Sequence, residues 1–330
     1  MPTTVQTLPP SARNYSRAQR AEIKAAVAAI ERQWRRMGSD FDMSWARTAG
    51  TMYQILTTAQ KRIVDQSLAY IPDVLEDTDQ KADQVARIQP RSLIGVSGSG
   101  IAIPDVLNSA PIRAKEAIQR GGTQFEALKS AGLWLTGTAG TILSDTGRAT
   151  EQLGMYTRPD IHGYVRMLSP PSCGRCAIQA GKRFRTNQGF QRHPRCDCRH
   201  IPETESLSDD LTVNPDAYFR SLDAKGQEKL AGSLANARAV REGADLGQVV
   251  NAYGRTAGMQ VAQVRPIKVD RFGDKYTKAG TTKRGIAGKA QLRLRQHGEQ
   301  QARLMPESIY RRARSQDDVL RLLKLYGWII

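Results

Sequence analysis

All four cysteines of this 330-residue chain fall between positions 173 and 198, and that clustering constrains the fold more than any other feature. Disulfides stabilise by closing loops across a chain, so a scaffold built on them spreads its cysteines. Crowding into one short stretch points to a metal instead. The stretch reads Pro171-Ser-Cys173-Gly-Arg-Cys176, then His193-Pro-Arg-Cys196-Asp-Cys198. A Cys-x-x-Cys turn aims two thiolates at one ion, and a second pair must return to complete a tetrahedron. Cys196 and Cys198, two apart, share a face if the chain there is extended. His193 is an alternative donor. The expected shell is therefore Cys173, Cys176 and two of His193, Cys196 and Cys198. Soft thiolate donors select zinc over magnesium or calcium. A closed, structural zinc is expected. A catalytic one needs an open position and a base, for which Asp197 or Glu203 would have to serve, and nothing in the spacing selects them.

Charge sharpens the picture. The chain carries 49 Lys+Arg against 32 Asp+Glu, a formal +17. Residues 166–200 hold eight Lys/Arg against Asp197 alone, and residues 255–314 hold fifteen against four acids. These two segments contain the whole surplus, so the remainder is close to neutral. A general solubility requirement would spread the charge; concentration favours an anionic partner such as nucleic acid. Arg265, Lys268, Arg271, Lys275, Lys278, Lys283, Arg284 and Lys289 are the candidate phosphate contacts. The glycines Gly280, Gly285 and Gly288 suggest an extended, pliable strand that follows a backbone without reading bases.

Most of the rest reads as helix. Residues 1–15 look like an extended Pro/Thr tail. Ser16 with Gln19 suggests a capping box ahead of Ile23, Val27, Ile30 and Trp34. A second stripe, Trp45, Ala49, Met52, Leu56, Ala59 and Ile63, is expected to end before Pro72. Residues 89–104 read as a loop. Thr123 with Glu126 forms another capping box, opening a helix toward Met155. Short helices are expected at Pro215–Arg220, Gln227–Glu242 and Leu246–Tyr253, with more after Pro306 and after Ser315 or Asp317. The apolar end, Trp328-Ile-Ile330, should dock into a core. The organisation expected is an extended tail (1–15), a helical region (16–150), a metal-binding core motif (151–204), short helices (205–254), a basic extended segment (255–303) and C-terminal helices (304–330). The fold class is mainly α: an elongated helical N-terminal region, a small zinc-stapled insert with short β elements, and an extended basic stretch. No basic segment followed by an apolar run opens the chain, so no secretory signal is expected, and no apolar run is long enough for a bilayer.

The run Gly163-Tyr-Val-Arg166, Cys173-Gly-Arg-Cys176, Gly181 and His193-Pro194-Arg-Cys196-Asp-Cys198 resembles the signature of MuF-like minor head proteins of tailed phages. Asp216-Ala-Tyr-Phe219, Ala244-Asp245, Val249-Val-Asn251-Ala, Arg303–Tyr310 and the closing Tyr326-Gly-Trp-Ile are similar to versions from phages of actinobacterial hosts. The similarity covers roughly residues 120–330; the N-terminal third matches only in general character. It implies a structural, non-enzymatic virion component inside the capsid near the portal, present in the host cytoplasm during assembly. Its implied partners are the portal protein, the major capsid protein or scaffold, and packaged double-stranded DNA, with no membrane. Head morphogenesis and DNA packaging or ejection are the implied roles. A zinc-dependent, nuclease-like enzyme is the alternative. No Gly-x-Ser-x-Gly or His-Glu-x-x-His occurs.

Overall fold

The structure, a computed structural model, describes residues 8–168, 172–189, 196, 198–204, 214–252, 267–277 and 302–329. Three long helices form the N-terminal body: α1 (Pro10–Trp34), α2 (Phe41–Asp77) and α5 (Gln124–Tyr156). Two shorter ones, α3 (Ile103–Leu107) and α4 (Ser109–Gln119), close its far end. Apolar residues at three- and four-residue spacing meet in one core containing Ile30, Trp34, Met52, Leu56, Ile63, Leu135 and Leu143. The Thr123–Glu126 capping box is present and opens α5 as expected. Asp40 caps α2, accepting the Met43 N–H at 2.9 Å.

Two boundaries differ from the sequence reading. Helix α1 begins at Pro10, inside the stretch expected to be an extended tail. A proline in the first turn lacks only an N–H that would be unsatisfied anyway. Ser16 and Gln19 are consequently interior, buried positions and not a cap; Gln19 donates to the Ile63 carbonyl at 3.2 Å. Helix α2 runs through Pro72 to Asp77, because burial of Ile71, Val74 and Leu75 outweighs the lost hydrogen bond.

After α5 the chain forms a three-stranded antiparallel sheet from β1 (Gly163–Arg166), β2 (Arg183–Arg185) and β3 (His200–Glu203), in the order β2-β1-β3. One helical turn, α6 (Gly174–Ala177), lies in the β1–β2 connection. Four short helices follow: α7 (Pro215–Ser221), α8 (Ala224–Ala231), α9 (Leu234–Arg241) and α10 (Leu246–Asn251). The expected single helix over 227–242 is two, broken at Gly232, whose φ of 90° only glycine adopts freely. A second small sheet joins β4 (Lys268–Val269), β5 (Lys275–Thr277) and β6 (Arg303–Leu304), ahead of α11 (Pro306–Arg312) and α12 (Gln316–Leu325). Of the basic segment, residues 267–277 are thus a hairpin paired to β6 and not a free strand. Trp328 and Ile329 are buried with Phe219, Val249, Ile309 and Leu323, so the apolar terminus does dock.

The two halves share the α6 turn. Cys176 packs with Tyr70, Ile71, Met155 and Tyr164, whereas the next residue, Ala177, packs with Phe219, Leu230 and Val249. The seam is tight: a Cβ on Gly174 would lie 2.3 Å from the Leu230 carbonyl oxygen and 2.9 Å from Val250. Gly174→Ala should therefore cost about 1–3 kcal/mol, read as a lower denaturant midpoint with unchanged slope.

Candidate metal centre

The sheet register brings the cysteines to one end. Arg166, the last residue of β1, pairs with His200, the first of β3. Cys198 and Cys196 therefore arrive just ahead of β3, while α6 carries Cys176 over the same edge. The Sγ atoms of Cys176, Cys196 and Cys198 all lie within 4.8 Å of one another, and all three residues are buried. Three soft donors so placed can hold a metal ion. Cys173 is exposed and sits one turn away as the α6 N-cap, its sulfur accepting the Cys176 N–H at 3.4 Å. His193 lies outside the described residues.

A buried arginine faces the sulfurs. Arg166 Nη2 is 3.7 Å from Cys176 Sγ, 3.8 Å from Cys196 Sγ and 3.4 Å from Cys198 Sγ. Near-equal distances place it over one face of the sulfur triangle, so a fourth donor has to approach from the other face. Burial by itself would lower the Arg166 pKa; the charges of Cys198, Cys176 and Cys196 outweigh it and hold the guanidinium above its ordinary value. Hydrogen bonds from Cys176 and Cys198, with the Arg148 charge, pull the Cys196 thiol well down. Cys176 is pushed well up by its contacts to Cys173 and Cys196. A divalent cation would take the place of the protons these crowded thiols share.

Helix α5 braces the site. Arg148 donates to the carbonyls of Cys196 at 2.7 Å and Cys198 at 3.3 Å, and pairs with Asp145 at 2.5 Å. One turn on, buried Glu151 accepts the Tyr15 hydroxyl at 2.6 Å, the His200 backbone N–H at 2.9 Å, and contacts His200 Nδ1 at 2.5 Å. Arg199, also buried, lies 3.8 Å from Glu151 and donates to the Ser144 carbonyl. Tyr70 of α2 donates to the His200 carbonyl at 2.8 Å and stacks on Tyr15 with centroids 4.1 Å apart. All three long helices thus grip the strand that follows the cysteines.

Sequence reasoning did not reach this network, although a signal was present. Between Ala131 and Gly154, α5 contains only three charged residues, Asp145, Arg148 and Glu151, spaced by three in an otherwise uncharged stretch. The basic surplus of residues 166–200 also divides: Arg166, Arg175 and Arg199 are buried and point to the interior, not to a phosphate partner. Glu203 is buried, paired with Arg183 at 2.7 Å, and registers with Gly163, three residues along β1 from Arg166. That is about 10 Å of strand away from the sulfurs' end. Asp197 lies outside the described residues.

Of the phosphate candidates, Lys268 is exposed on β4, Arg271 is exposed and stacked over Phe272 at 4.6 Å, and Lys275 is half-buried on β5. Arg265, Lys278, Lys283, Arg284 and Lys289 lie outside the described residues. Asp274 in the same hairpin is ion-paired to Arg311 and Arg312, so the acids of this hairpin are partly neutralised from within. Among the described residues, no helix is long and apolar enough to cross a membrane. Comparison of the chain with protein families, with curated proteins and with solved structures finds no match.

Proposed function

We propose that the chain is a structural, non-enzymatic head protein of a tailed phage, of the MuF-like minor type, folded around a structural zinc ion. Cys176, Cys196 and Cys198 would supply three ligands, and Cys173 or His193 the fourth. The observation that carries the zinc reading is the convergence of three buried sulfurs at the seam between two hydrophobic cores. Cys176 and Cys196 Sγ are 3.7 Å apart. Zinc–sulfur bonds of about 2.3 Å around a tetrahedral ion separate neighbouring sulfurs by about 3.8 Å, so the pair is spaced for zinc. Zinc, when bound, replaces the shared protons and locks four thiolate or imidazole donors in place. Arg166 and Arg148 offset the negative charge of the thiolate shell and orient the Cys196–Cys198 backbone. The phage-head setting rests on the sequence resemblance, and the exposed Lys268 and Arg271 are where contact with packaged DNA is proposed.

Three measurements test this. Protein purified without chelators should carry one zinc per chain by elemental analysis; no bound metal would overturn the site. Particles of a phage encoding the chain should contain it, and its absence from them would overturn the setting. DNA cleavage that is present in the wild type and lost in Asp197→Ala would replace the structural reading with the nuclease one. For the surrounding shell, Arg166→Met should keep one zinc per chain but weaken its affinity about 10–100-fold in competition with a chromophoric chelator.

A further inference from the structure

The N-terminal body carries a second feature, remote from the cysteines. An open cleft of about 730 Å³ runs between the second half of α1 with the turn that follows it, from Arg20 to Met37, and α5, from Phe125 to Ser144. Its floor is apolar and already set. The Nε1 edge of Trp34 lies against Gly132, where a Cβ would come 2.5 Å from it, and that nitrogen donates to the Leu128 carbonyl at 2.9 Å. Val27 and Ile23 pack over the buried Gly140, where a Cβ would meet them at 3.7 and 4.0 Å. The α5 lip is apolar as well as exposed: Phe125 is 73% and Leu133 59% accessible, two turns apart on one side of the helix. Large apolar side chains held in the open beside an apolar groove mark a surface that a partner covers.

Shape and charge identify the occupant. At 1.5 Å per residue, the helical walls are about 21 Å long on α1 and about 28 Å on α5, the length of a helix of about 14–18 residues. The cleft is open along that length. On the α1 side Arg20, Lys24 and Arg35 line the cleft and on the α5 side Lys129, against one acid, Glu31, whose 2.7 Å pairing with Arg35 leaves those two neutral together. A small amphiphile such as a fatty acid carries one anionic head and needs cations at one end only. Cations on each wall, Lys24 on α1 and Lys129 on α5, match a helix with acids flanking an apolar stripe. We infer that this cleft is the docking site for an acidic amphipathic helix of a protein partner. The inference stands on the cleft alone and does not depend on the metal centre or the phage-head reading.

The test uses the full-length, metal-replete protein and a fluorescently labelled synthetic peptide of about 18 residues. The peptide carries leucines at i, i+3, i+4 and i+7 with glutamates on both flanks; a control replaces every glutamate with lysine. Anisotropy should show saturable 1:1 binding of the acidic peptide that weakens as salt is raised, and no saturable binding of the basic control. Leu133→Asp should weaken it about tenfold or more, and Lys24→Glu with Lys129→Glu should do likewise. These positions are on the surface, so an unchanged melting temperature checks that the variants fold. Failure of the acidic peptide to saturate, equal binding of the two peptides, or indifference to Leu133→Asp would overturn the proposal. Saturable binding of dodecanoate in the peptide's place would overturn it in favour of a small amphiphile.

Discussion

Cys176→Ser should lower the melting temperature by about 5 °C and abolish stoichiometric metal binding. Cys176 is 1% exposed, and its sulfur is one of three that face the buried Arg166 guanidinium. Serine keeps the approximate size but supplies a poor donor to a soft ion, so the shell loses a ligand and the arginine loses part of its counter-charge. Breaking a buried charged cluster in this way costs about 3–5 kcal/mol. At about 2.1 cal/mol/K of unfolding entropy per residue, each kcal/mol shifts the melting temperature of a chain this long by about 1.5 °C, which gives the expected figure. The loss should be uneven. The α1–α2–α5 core around Met52, Leu56 and Leu135 does not include the cysteines, so far-ultraviolet helicity should persist while near-ultraviolet signals from the C-terminal half weaken. Cys173→Ser distinguishes the fourth ligand: equal metal loss assigns Cys173, and retained metal leaves the position to His193. A Cys176→Ser protein with unchanged melting and unchanged metal content would sink the site.

Patterns carried by neighbouring residues were legible in the sequence; those that depend on what packs on top were not. The Thr123–Glu126 box opens α5 because both halves of a reciprocal bond lie three residues apart. Ser16 and Gln19 have the same spacing without that role, since Pro9 and Pro10 start the helix earlier and tertiary burial claims Gln19. Pro72 reads locally as a helix stop, yet Ile71 and Val74 are held by a core that the local sequence does not reveal. The cysteine cluster was visible as spacing, and three of its members do converge. The arginines among them were counted as surface charge, because a one-dimensional count cannot tell Arg166, inside against sulfur, from Arg271, outside on a hairpin. A lone charged triplet in the otherwise uncharged stretch of α5 from Ala131 to Gly154 was the linear trace of the buried network.

That network yields the second large effect. Glu151→Ala should destabilise the protein by about 3–5 kcal/mol, because it leaves the Arg199 guanidinium buried without its carboxylate and strips two donors of their acceptor. Arg199 would retain the Ser144 carbonyl, Gln19 and the face of the Tyr15 ring, none of them charged. Glu151→Gln keeps the shape and isolates the charge, which makes it the variant for the pH experiment. Burial raises the Glu151 pKa, but the hydrogen bond and charge of His200, the charge of Arg199 and the Tyr15 hydroxyl outweigh it, so the folded value lies below the usual 4.5. The folded state therefore binds its proton less readily than the unfolded chain. Its contribution is complete above about pH 4.5 and is lost as pH falls through the lower folded value. Acid also releases a thiolate-bound metal from both proteins, so the informative quantity is the difference between wild type and Glu151→Gln. Denaturant midpoints should differ most at neutral pH and converge below pH 4.5; parallel curves would mean that Glu151 is not held ionised between α1, α5 and β3.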